Sequence, residues 1–95
     1  MEPGTPERIR AKCAEVAEML VEKNRSYGDS ALHPVGIFAK GNAADLIRVR
    51  IDDKINRIRN QPDAFGEDAI RDLIGYLILL QIAMEDSAVA AAKEN

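Results

Sequence analysis

The residues best suited to chemistry fall into three groups. The first is Lys23-Asn24-Arg25-Ser26-Tyr27-Gly28-Asp29-Ser30, where cations are followed by an aromatic ring, a glycine and a run of hydrogen-bonding side chains. Glycine lets backbone approach a phosphate closely, and a tyrosine ring can cover a base or sugar. The same order also suits a plain helix stop, with Lys23 at the negative end of the helix and Gly28 making the turn. The second group is basic: Arg48, Arg50, Lys54, Arg57 and Arg59 fall within twelve residues of an otherwise acidic chain. Arg50, Lys54 and Arg57 follow at spacings of four and three, one flank of a helix, with Asp53 beside them. Such a flank can grip di- or triphosphate oxygens, arginine acting as a bidentate donor. It equally fits a solvated face on which Asp53 and Arg57 form an i,i+4 pair.

The third group is carboxylates. Glu15, Glu18 and Glu22 share the polar face of a first helix, and Asp68 and Asp72 lie one turn apart on a later one. Acids from two facing helices suit Mg2+, a hard cation that takes oxygen ligands and keeps some water. Glu15, Glu18, Asp68 and Asp72 are therefore the candidate metal ligands, and Asp72 and Glu18 the candidate catalytic groups. The competing reading makes the glutamates solvent-facing and Asp68 a helix-start residue. Asp72 sits beside Leu73 and shares a face with Gly75, so it is expected to be partly buried and to require a basic partner from the middle helix. His33 has no second His or Cys at metal-ligand spacing, and Cys13 falls on an apolar stripe. No Ser-His-acid arrangement, P-loop or dinucleotide glycine pattern occurs.

These groups must be held by helices. The chain has 95 residues, 46% of them hydrophobic but only 4% aromatic, so a core of Leu, Ile, Val and Ala in packed helices is expected, as one domain over 1–95. Thr5-Pro6 reads as a cap followed by a first-turn proline, and Ile9, Cys13, Val16, Ala17 and Leu20 form one stripe, predicting a helix over 6–24. Residues 25–42, rich in glycine with Pro34 and His33, predict a long ordered loop with one short turn around Gly36–Lys40. Its Tyr27, Ile37 and Phe38 are expected to pack down. Ile47, Ile51, Ile55 and Ile58 predict a helix over 43–60 with those four buried. Glu67 and Asp68 open a third helix, 67–90, apolar nearly all round, which two short partners can hardly cover. A bundle completed by homo-oligomerisation is the expectation, the alternative being a monomer with this helix in the middle.

Net charge of −3 argues against binding long DNA or RNA, though not against a local site for a small anion. One cysteine, no basic and apolar leader, and an interrupted apolar stretch, Leu73 to Met84, too short to cross a bilayer, point to a cytoplasmic protein without a membrane partner.

Taken in order, K-N-x-x-Y-G-D-S (Lys23 to Ser30), R-I-x-D-K-x-x-R (Arg50 to Arg57) and E-D-x-x-x-D-L-x-G-Y (Glu67 to Tyr76) resemble the phage nucleotide-modification-associated domain, type one. The resemblance spans roughly residues 9 to 84. It implies a phage-type protein of nucleotide metabolism, working in the host cytoplasm, with Lys23, Tyr27, Gly28, Asp29, Ser30, Arg50, Asp53, Lys54, Arg57 and Tyr76 at a nucleotide. The helical pattern is also similar to the MazG-like nucleoside triphosphate pyrophosphohydrolases, which hold Mg2+ on an E-x-x-E pair and a later E-x-x-D pair. Glu15 and Glu18 match the first pair; Asp68 and Asp72 depart from the second, being four apart with aspartate in place of glutamate. Three functions follow as expectations: a nucleotide binder with Mg2+-dependent pyrophosphohydrolase activity, a non-catalytic binder that sequesters a linear or cyclic nucleotide signal of host defence, or a helical adaptor that docks another protein.

Overall fold

Gly4 is the N-cap of the first helix, α1 (Thr5–Ser26), and its carbonyl accepts the N–H of Arg8 at 3.1 Å. Thr5, expected to cap, is instead the first helical residue, and no side chain caps this end. Pro6 falls in the first turn, where its missing N–H costs nothing. The computed structural model describes residues 2–94, and at 64 and 94 the backbone alone. The chain is all-α: α2 (Ala43–Asn60) and α3 (Glu67–Glu94) follow, with a single 3-10 turn (Pro62–Ala64) between them. No strand occurs among the described residues.

Gly28 and Asp29 both adopt φ of 62°, and these two left-handed residues unwind the end of α1. The turn expected near Gly36–Lys40 therefore falls at 27–32, with only a bend at 37–38. Packing of the loop also differs from expectation. Tyr27 and Ile37 are exposed, and Phe38 is 99% exposed. Leu32 takes the place on the α2–α3 core that these side chains were expected to fill.

Asn42 caps α2 with its side-chain oxygen, which accepts the N–H of Asp45 at 2.8 Å. Ala44 and Ile47 pack on Ala83, with Ile51, Tyr76, Leu79 and Leu80 around them. Of the four isoleucines expected to be buried, Ile47 is, Ile51 and Ile58 are half-buried, and Ile55 is exposed. The reason is the 3.6-residue period. Seven residues from Ile47 is nearly two whole turns, so Lys54 comes within ~20° of Ile47's direction while Ile55 is rotated ~80° away. Lys54 consequently turns inward, its side chain only 17% exposed.

α3 packs along α2 far more extensively than along α1. In α1 only Val16 is buried; Ile9, Cys13 and Ala17, placed on its core stripe by spacing, are exposed because α1 packs on α3 far less than α2 does. α3 leaves Ile70, Ile74, Leu77, Ile82, Met84 and Val89 exposed. It also continues unbroken beyond Met84, and with Val89 and the alanines that follow it is long and apolar enough, by length and composition alone, to cross a bilayer. The expectation that this stretch is too short is corrected on that point.

Candidate functional site

Where α1 crosses α3, Gly75 lies buried under Leu20. A Cβ on Gly75 would stand 3.2 Å from Leu20 Cδ1, so the missing side chain is what lets α1 settle on α3. That contact brings the last turn of α1 beside the first turns of α3, and α2 supplies the third wall. A recess of about 330 Å³ opens among them. Lys23, Asn24 and Tyr27 line it from the end of α1, Ser30 and Ala31 from the turn, Arg50 from α2, and Asp72, Gly75 and Tyr76 from α3, over a floor that includes Met19 and Leu20.

Six of the residues expected at a nucleotide or catalytic site therefore share one hollow: Lys23, Tyr27, Ser30, Arg50, Asp72 and Tyr76. Lys54 joins through Asp72. The carboxylate is a bridge, Oδ1 accepting from Lys23 Nζ at 3.0 Å and Oδ2 from Lys54 Nζ at 3.2 Å. Burial on its own pushes the Asp72 carboxyl up and is the largest single influence. Hydrogen bonds and positive charge from Lys23 and Lys54 together outweigh it, holding the carboxyl below its ordinary value. The expectation that Asp72 is partly buried and meets a base from the middle helix is met by Lys54.

Other expected residues lie apart. Gly28 and Asp29 are outside the lining, and their N–H groups are already used, donating to the carbonyls of Arg25 at 3.2 Å and Asn24 at 3.0 Å. The Asp29 side chain faces His33 instead, at 3.2 Å. Arg57 lies two turns along α2 from Arg50, about 10 Å beyond the recess. Asp53 is exposed and also outside the lining.

The carboxylates do not gather. Glu15 meets Lys12 at 3.2 Å and Arg71 at 3.4 Å. Glu18 is exposed on α1, Asp68 is exposed on α3, and neither lines the recess. Among the described residues no cluster of three or more His, Cys, Asp or Glu could hold a metal ion. Both Asp72 oxygens face ammonium groups, so this donor set as placed does not fit Mg2+.

Spacing alone missed Met19, Leu20, Ala31 and Gly75 as parts of the site, and it gave Asn24, though within the first group, no role of its own. Asn24 had a signal, since it lies one turn before Tyr27 and thus on the same face. Gly75 had another: a glycine inside a helix costs ~1 kcal/mol relative to alanine, which marks a close approach.

Chemically, Lys23 and Lys54 pair with Asp72 while Arg50 lines the same recess, so three cations stand at one carboxylate's site, a surplus of two positive charges. Two tyrosines flank them. The volume is at the lower end of ligand pockets, ~300–1,000 Å³. Such a hollow can seat one phosphate-bearing group with an aromatic or sugar moiety against the rings. Comparison of the chain with protein-family models, with curated proteins and with solved structures finds no match.

Proposed function

We propose that this recess binds a phosphorylated nucleotide or a nucleotide-derived small molecule, and that the protein acts as a nucleotide-binding component of phage-type nucleotide metabolism. One observation carries the reading: side chains from three separated motifs, 23–30, 50–54 and 72–76, converge on one hollow with surplus positive charge and two tyrosines. The three-motif resemblance to the phage nucleotide-modification-associated domain supports the same ligand class. Lys23 and Arg50 contact the phosphate, with Lys54 held behind them by Asp72. Tyr27 and Tyr76 cover the base or sugar, and Asn24 and Ser30 contribute hydrogen bonds. Arg50 suits the phosphate best, because it lines the hollow and forms no ion pair with a described carboxylate.

Binding without cleavage is the favoured form. Asp72 spends both oxygens on lysines, which leaves it poorly placed to activate water. The test is calorimetric titration with linear and cyclic nucleotides, with and without Mg2+, followed by denaturation and recovery of the ligand. Saturable binding with intact ligand supports a sequestering binder. Recovery of monophosphate and pyrophosphate would assign the MazG-like hydrolase activity instead, and no heat with any nucleotide removes the nucleotide reading altogether.

A further inference from the structure

Beside the recess, sharing Leu20 and Asn24 with it, α1 and α3 leave a second hollow of about 440 Å³. Val16, Ala17 and Val21 wall it from α1, and Ile74, Ile78 and Ile82 from α3, so its surface is almost wholly apolar. It is the core stripe of α1 meeting the surplus apolar side of α3, with Leu32 of the loop at its edge.

Two whole-molecule quantities show that the single chain exposes more surface than a compact domain of its size. The accessible surface is 7554 Å², whereas a folded monomer of 10.5 kDa is expected to expose about 5,400 Å². The radius of gyration is 15.9 Å against about 12.4 Å for a compact domain of this length. The excess of roughly 2,000 Å² is spread over the molecule, the 35–38 loop included, but the share on α1 and α3 falls within reach of what one protomer gives up in an obligate interface, roughly 1,000–2,500 Å² a side. We infer that the α1–α3 face is closed by a second copy of this chain. The contact is isologous, each protomer presenting the same pair of helices, so that four helices pack across a two-fold axis.

The need for cover belongs to the fold itself. Since α1 buries only Val16 within the single chain, it lacks a core whenever the chain is folded, and a second copy is the one partner present under all conditions. A bilayer fits less well. Glu85 and Asp86 lie in the C-terminal half of α3, each costing ~2.5–3.5 kcal/mol near a bilayer centre, and insertion would strip α2 from its main partner.

The assay is sedimentation of the full chain across the micromolar range. A mass about twice the 10.5 kDa of one chain is expected. Ala17→Arg places a charge in the hollow at a position exposed in the single chain, so it preserves the helical circular-dichroism signal. It should weaken self-association on the order of 100-fold, because a charge would be buried without a partner. Val49→Glu, on an exposed part of α2, should leave the mass unchanged. Cys13, exposed in the single chain and lining the hollow, offers a readout that needs no variant: its reaction with a thiol reagent should slow as protein concentration rises. A monomeric wild type, a dimer insensitive to Ala17→Arg, dissociation by Val49→Glu, or a concentration-independent Cys13 rate each overturns the inference. So does a chain that stays monomeric in buffer and floats with phosphatidylcholine–phosphatidylglycerol vesicles.

Discussion

Replacing Asp72 by asparagine should make the protein less stable and its recess a better anion site. In the wild type the carboxylate ties Lys23 at 3.0 Å and Lys54 at 3.2 Å. The Lys23 side chain is 53% exposed, so its bond contributes a few tenths of a kcal/mol after solvent screening. Lys54 is far more enclosed, and its charge-assisted bond is closer to ~1–1.5 kcal/mol. Loss of both should cost about 1.5 kcal/mol at neutral pH, lowering Tm by roughly 10 °C in a domain this size. The pH dependence has a defined direction. The folded carboxyl titrates below its unfolded value, so its stabilisation is complete above the unfolded pKa and disappears as pH falls through the folded one. Wild type and D72N should therefore converge in acid and separate as pH rises. Anion affinity moves the other way. A carboxylate ~6 Å from a bound phosphate, in a half-solvated medium of effective dielectric constant ~50, repels it by about 1 kcal/mol, so its removal should tighten binding roughly fivefold. Thermal melts at fixed protein concentration read the first effect, and calorimetric titration with a binding nucleotide reads the second. An asparagine variant as stable as wild type at neutral pH but unable to bind would refute the bridge and make the carboxylate itself a ligand or metal contact.

Three further substitutions test the same geometry. Arg50→Ala should weaken nucleotide binding by about tenfold, the worth of one charge-assisted contact, while barely moving Tm, as calorimetry and melting together would reveal. Gly75→Val should cost about 1–3 kcal/mol, because any Cβ already stands 3.2 Å from Leu20 Cδ1 and the added methyls must push α1 off α3; urea unfolding measures the loss, and titration should show binding falling with it. Asn42→Ala removes the cap on the Asp45 N–H and should cost about 1 kcal/mol in the same unfolding assay, with nucleotide affinity unchanged.

Helical class and element order were legible from residue spacing, because period and breakers are local properties of the chain. α2 begins and ends at the expected residues, and α1 and α3 run only a few residues past theirs. The convergence of Lys23, Tyr27 and Arg50 with Asp72 was also within reach, since the motifs that contain them could be read one by one. What spacing could not supply was rotation and reach. Ile55 fits the apolar line by count but lies outside it by angle, and Lys54 takes the inward position. Phe38 looks like a core residue by type yet sits beyond the last place the core had to offer, already filled by Leu32.

Composition and periodicity thus determined by themselves that this chain is helical, where its helices run, and that it carries a basic flank and too much apolar surface for its size. Only the tertiary structure decided which carboxylate meets which cation, that Glu15, Glu18 and Asp68 stand away from Asp72, and which apolar faces stay bare. The physical reason is that helix formation depends on neighbours within a turn or two. The meeting of α1 with α3 depends instead on one glycine, 55 residues along the chain from the Leu20 it admits.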